Sequence, residues 1–208
     1  GFSIFSAHRI TIPAMKVSSD PKARALHHVV LSASICWAVV ALAACKTTSK
    51  PVDVVGSFKT DRYLGTWYEI ARYDFAFERD LSHVTATYSM NPNGTIKVDN
   101  RGYAYKRSKW KRSVGKAKFV EGPDKARLKV SFFGPFYGGY NVVRLDEDYR
   151  YALVAGDNLK FLWLLSREKT IPESIRSSYL AKARELGYDI DKLVWTVQDG
   201  EVPGGAPW

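Results

Sequence analysis

Thiols and imidazoles are scarce in this chain: 208 residues hold two cysteines and four histidines. Beyond residue 45 the sequence has no cysteine, and His83 is its only histidine. A metal centre built from several histidines or thiolates is thereby excluded over that stretch. Ser–His–Asp chemistry would have to rest on one residue beside a strand start. Long apolar runs are scarce too. The single candidate, Val29 to Ala44, has 16 residues, short of the roughly 20 that a helix needs to cross a bilayer core. Negative charge is also in deficit, with 21 Asp and Glu against 31 Lys and Arg and a net charge of +10. That excess suits an anionic surface or an anionic ligand and carries no information about fold.

What stands around the apolar run is more telling. Lys16, Lys22, Arg24 and the His27–His28 pair precede it, and small residues lead out of it to Cys45. This order of zones is the plan of a secretory signal ending in a cleavage site. Leu42-Ala43-Ala44-Cys45 resembles the bacterial lipobox, in which the signal is removed before the cysteine and the cysteine is lipidated. The resemblance implies an anchor on Cys45, and Lys46 behind it implies sorting to the outer membrane. The alternatives are a signal peptide with a chance cysteine, or a buried apolar segment. Residues 1–14 precede Met15 without a second signal, so translation is expected to start at Met15, and 1–44 is read as upstream extension plus signal. Lipidation of Cys45 would leave no thiol and no disulfide, since Cys36 leaves with the signal. Removing four basic residues (Arg9, Lys16, Lys22, Arg24) and one acidic residue (Asp20) from +10 leaves +7.

The rest divides into three. Residues 45–61 read as lipidated cysteine and flexible tether: Lys46 to Lys59 is polar, contains Pro51 and Gly56, and would reach roughly 46 Å if fully extended. Residues 62–198 form one domain and 199–208 a tail. Within the domain, short alternating β-rich runs separated by turn residues predict strands near 66–74, 83–90, 95–103, 112–120, 126–133, 139–145, 150–156 and 160–166. Eight such strands point to an all-β, up-and-down antiparallel barrel or sandwich. Asn93-Gly94 predicts a type I′ hairpin. One helix follows, with Thr170 and Glu173 as a capping box, Pro172 in its first turn and Gly187 as its stop. Ile175, Tyr179, Ala183 and Leu186 fall on one face of it, which should pack on the outside of the barrel.

Three short stretches then carry a resemblance. Gly65-Thr66-Trp67-Tyr68, Asp148-Tyr149 and Leu165-Ser166-Arg167 resemble, in order, the signature regions of lipocalins. "YLGTWYEIARYDFAFERDL", "VTATYS" and "KVSFFGPFYGGYNVV" are similar to the bacterial outer-membrane branch related to apolipoprotein D. The resemblance covers about 62–198. It implies an eight-stranded lipocalin barrel with a lateral C-terminal helix, no cofactor, and binding of small hydrophobic molecules, namely lysophospholipids or fatty acids; a homodimer is implied as well. It also implies that Trp67 and Arg167 close the narrow end by a cation–π contact, worth about 0.5–2 kcal/mol.

In a barrel, inward and outward residues alternate, so parity selects the cavity. Taking Trp67 as inward brings Glu69 and Ala71 with it. Hairpin register then adds Ala86, Tyr88, Val98 and Asn100 from the next two strands. Leu128, Val130, Phe132, Tyr140 and Val142 follow, and Val154, Phe161 and Trp163 complete the lining. A one-residue slip would turn any of these strands inside out. An inward Glu69 needs a partner, for which Arg72, Arg144 and the ligand are candidates; Arg144 is itself inward by simple parity. In the loop "YAYKRSKWK" (103–111), Lys106, Arg107 and Lys109 should stand at the mouth with Tyr103, Tyr105 and Trp110, placed to meet a phosphate or carboxylate head group. A solvated basic loop, or attraction to anionic lipid, explains the same residues. "GPFYGG" (134–139) offers Phe136 and Tyr137 as a gate or dimer contact. Single-stranded nucleic acid, which basic and aromatic residues together can also bind, does not suit an envelope lipoprotein. The expected mechanism is binding rather than catalysis. The competing readings are an enzyme acting on a bound acyl or isoprenoid ligand through Glu69, and a structural envelope lipoprotein.

Overall fold

The computed structural model describes residues 51–201. The expected signal, Cys45, the start of the tether and most of the tail lie outside the described residues. Eight strands wind antiparallel: β1 (Gly65–Tyr73), β2 (Leu81–Met90), β3 (Ile96–Ala104), β4 (Lys109–Phe119), β5 (Arg127–Phe133), β6 (Phe136–Leu145), β7 (Tyr151–Ala155) and β8 (Leu162–Ser166). Each pairs with the next, and β1 pairs with both β2 and β8, which closes the barrel. The β2–β3 connection is a wider loop than the two-residue hairpin expected. The Gly94 amide bonds to the Asn91 carbonyl, Asn91 bonds to Thr95, and only Gly94 takes positive φ, at 77°. Asn93 instead uses its side chain to accept from the Thr95 amide.

Helix α1 (Thr60–Tyr63) lies before β1, and α2 (Glu173–Glu185) follows β8. Pro172, with extended backbone, occupies the N-cap of α2 and no side chain caps it. The capping box of Thr170 and Glu173 is therefore absent; Ser166 Oγ donates to the Thr170 carbonyl instead. At the other end Gly187, with φ 91°, donates to Arg184, and Tyr188 donates to Ala183, the paired bonds of a Schellman stop. Tyr179 and Ala183 are buried, with Ile175 and Leu186 beside them, against the outer faces of Leu153, Leu162 and Leu164. A ninth strand, β9 (Leu193–Trp195), pairs with the far half of β1. The chain beyond it is pinned by Gln198, which donates to the carbonyls of Glu69 and Val84, and by His83, whose amide donates to Val197.

Two main cores result, one inside the barrel around Trp67, Phe58, Val98 and Val142, and one between sheet and α2, with a small third cluster of Leu81, Val84 and Ala104. Two β-bulges correct the parity reading. The β1–β8 register shifts between Glu69 and Ala71, so Ala71 joins the outer core and Arg72 turns inward. The β6–β7 register shifts between Val142 and Arg144. Arg144 thereby leaves the interior and sits over the Tyr179 ring at 5.3 Å. An extra residue on one strand reverses every side chain after it.

The stretch read as tether is in part structural. The Val55 amide donates to Val142, its carbonyl accepts from Ala126, and Phe58 donates to Asp124. Phe58 is buried against Tyr63 and Tyr149. Residues 52–59 are thus fastened under the barrel.

Candidate ligand cavity

The lower end of the barrel is plugged. Trp67 is fully buried, and its Nε1 donates to the Tyr63 carbonyl at 2.8 Å. The Arg167 guanidinium lies 3.9 Å from the Trp67 ring centre and donates to the carbonyls of Thr66, Arg62, Leu64 and Tyr149. Residues 62–66 and Tyr149, from opposite ends of the barrel sequence, converge on one cation, so Trp67 and Arg167 hold the closed end together.

Above this plug a cavity of about 520 Å³ opens to the other end, within the usual 300–1,000 Å³ range of ligand pockets. Ala86, Tyr88, Val98, Asn100, Val130, Phe132, Tyr140, Phe161 and Trp163 all line it. Leu128, Val142 and Val154 also point inward, but they belong to the packed core around Trp67 and not to the cavity wall. Three phenols at its base form a chain: Tyr140 is 2.7 Å from Tyr63 and 2.8 Å from Tyr88, oxygen to oxygen. Burial pushes all three tyrosines above the ordinary phenol range, so they enter as neutral hydroxyls.

The rim differs from the sequence reading. Lys106, Arg107 and Lys109 do not line the cavity. Residues 105–107 form a short 3₁₀ turn, and Asp80 on the neighbouring loop draws the Lys106 ammonium to 2.9 Å and the Tyr105 hydroxyl to 3.1 Å. Tyr103 and Trp110 pack edge to face on one another. The basic side chains that do reach the wall come from further along the same hairpin: Arg101, Lys111 and Arg112. Asp99 ties Arg112 at 2.6 Å and Arg101 at 3.3 Å, and these bonds, that of Arg112 foremost, hold its carboxyl down to about 2. Aromatic residues complete the opening. Phe77, Phe133 and Phe136 all line it and are exposed, with Phe77 and Phe133 5.9 Å apart.

One polar group in the wall was anticipated only in part. Glu69, 3% exposed, is bonded to Arg72 Nη1 at 2.7 Å and to the Thr196 hydroxyl at 2.6 Å. Arg72 is therefore its partner, as the bulge requires. Glu78, from the loop after β1, folds down beside this pair and accepts from Trp163 Nε1 at 3.1 Å. Burial, and then the Glu69 carboxylate beside it, push Glu78 well above the usual carboxylate range. A glutamate flanked by aromatics in "FAFERDL" is the sequence signal that would have placed it.

The comparisons with known proteins fit this geometry. A family model described as "Lipocalin-like domain" matches residues 58–198. The chain belongs to the lipocalins. It is 49% identical over 174 residues to "Outer membrane lipoprotein Blc" of Escherichia coli K12, covering 83% of this chain and 97% of that protein. It is 30% identical to mouse apolipoprotein D, over 74% of this chain and 82% of the other. Among solved structures, insecticyanin of the tobacco hornworm superposes with a TM-score of 0.59 at 17% identity, over 73% of this chain and 86% of that one. At that identity the likeness speaks for the fold alone.

Proposed function

We propose that this lipocalin is an outer-membrane lipoprotein, anchored through Cys45, that binds and carries lysophospholipids or fatty acids in its barrel. The carrying observation is the cavity: apolar and aromatic walls, a plugged floor, and an open end fringed by exposed phenylalanines and cations. A single acyl chain suits those walls, since each buried methylene contributes about 0.8 kcal/mol, and a charged head group suits the rim. The lipobox-like Leu42–Cys45 and the relative named for the outer membrane support the location. Membership of a family of binding proteins supports carriage rather than turnover. Exposed Phe133 and Phe136 would serve a second copy in a homodimer, which analytical ultracentrifugation of the delipidated protein tests.

The direct test is native mass spectrometry of protein purified from envelopes, with extraction of bound lipid and titration with lysophospholipids and free fatty acids. A stoichiometric monoacyl lipid is expected. Protein that is empty and takes up neither class would overturn the reading.

A further inference from the structure

The two sides of the opening differ in charge. On the β1–β8 side the wall presents Glu69 and Glu78 with Phe75, Phe161 and Trp163; on the β3–β4 side it presents Lys111, beside Arg101 and Arg112, which Asp99 holds. In the closed strand order β4 and β8 stand four strands apart, so these walls face one another across the cavity. The aromatic group is tightly set, with Phe75 5.4 Å from Phe161 and 5.6 Å from Trp163. Two buried polar atoms here lack a partner. Asn100 Oδ1, an acceptor on the β3 wall, receives no donor. Arg72 Nε, on a side chain 2% exposed, finds no acceptor within hydrogen-bond reach, with Glu78 Oε2 4.0 Å away.

We propose that the Glu69–Glu78 wall is a subsite for the ammonium of a zwitterionic lysophospholipid, with Lys111 taking the phosphate from the other side. This rests on the lipid-carrier reading above and narrows it to a head-group class. The charges balance. Without ligand, the two carboxyl groups, Arg72 and the one proton that burial keeps on Glu78 sum to zero. An arriving ammonium takes the place of that proton, which leaves to solvent, and the sum stays zero. Ionised Glu78 can then close on the waiting Arg72 Nε, while the rings of Phe75 and Trp163 add cation–π attraction. Asn100 Oδ1 is an open acceptor for the glycerol hydroxyl of the same lipid. A fatty acid carboxylate or an anionic lysolipid gains none of this on the acidic wall and meets repulsion there. The charged and titratable groups around it are Glu69 and Arg72 on β1, Glu78 on its loop, Tyr88 on β2, Arg101 on β3, Lys111 and Arg112 on β4, Tyr140 on β6 and Asp157 in the β7–β8 loop.

The test uses the full delipidated protein and lysophosphatidylethanolamine, lysophosphatidylglycerol and a free fatty acid of one chain length, each below its micelle concentration. Calorimetry at pH 7 in two buffers of different ionisation enthalpy reads affinity and proton release together. The expected result is a preference of about tenfold for the ethanolamine lipid, the ratio corresponding to roughly 1.4 kcal/mol, with release of up to one proton. In Glu78→Gln the ratio should fall towards one and the release should vanish. Asn100→Leu, on a different strand, should weaken both lysolipids relative to the fatty acid and guards against misfolding of the first variant. Equal affinities without proton release, or a preference that survives Glu78→Gln, would overturn the subsite while leaving the carrier reading intact. Failure to bind any of the three lipids would overturn the carrier reading, and the subsite with it.

Discussion

The two ends of the barrel are built on opposite principles. At the closed end Trp67, Phe58, Tyr63 and Tyr149 are buried ring against ring, and the donors of Arg167 are spent on backbone carbonyls of residues 62–66 and Tyr149. At the open end Phe77, Phe133 and Phe136 are 70%, 65% and 79% exposed. Lys106 meets only a loop aspartate there, and it is itself largely in water. The difference separates stability from recognition. Packing and satisfied polar groups concentrate where no ligand enters, and the rim is left free to change with little cost to the fold.

The largest effect should come from the closed end. Trp67→Ala removes the ring on which Arg167 lies and leaves a large hole, and is expected to cost about 3–5 kcal/mol in urea unfolding. Phe58→Ala comes next. If residues 52–59 were mere tether this change would be silent; because the ring is buried, about 2–4 kcal/mol should be lost. A smaller, pH-dependent effect belongs to the wall. The folded value of Glu78 lies above its unfolded one, about 4.3, so its proton stabilises the fold below that pH. This contribution is lost as pH rises through the raised folded value. Glu78→Gln removes the slope, so its thermal midpoint should gain on the unmodified protein between pH 5 and pH 9. The smallest effect is at the rim: Phe133→Ser with Phe136→Ser should shift stability by no more than about 0.5 kcal/mol each. A loss there as large as at Trp67 would break the comparison between the ends.

The same contrast governs what could be read without coordinates. All eight strands stand within a few residues of expectation, because alternation and turn residues report directly on a half-buried sheet. Trp67 and Arg167 were visible through the family resemblance. The β-bulges were not, since one extra residue in "YEIARY" or "NVVRL" leaves no compositional mark, and Ala71 and Arg144 were turned the wrong way for that reason. The basic loop misled for another. Lys106 sits at the right height, but the carboxylate that captures it, Asp80, belongs to a loop 26 positions earlier in the sequence. Val55 and Phe58 looked like isolated apolar residues in a polar stretch until the barrel floor they cover came into view. Leu128, Val142 and Val154 were correctly turned inward, yet parity has no information on depth and could not separate plug from cavity.

The most direct test of the account is to fill the cavity. Ala86→Trp places an indole in the space above Tyr88, at a cost in stability of about 1–3 kcal/mol. Titrated with a monomeric lysophospholipid under native mass spectrometry, the unmodified protein should form a one-to-one complex and the folded Ala86→Trp variant should form little or none. An unchanged complex in the filled barrel would contradict the claim that the ligand sits inside it.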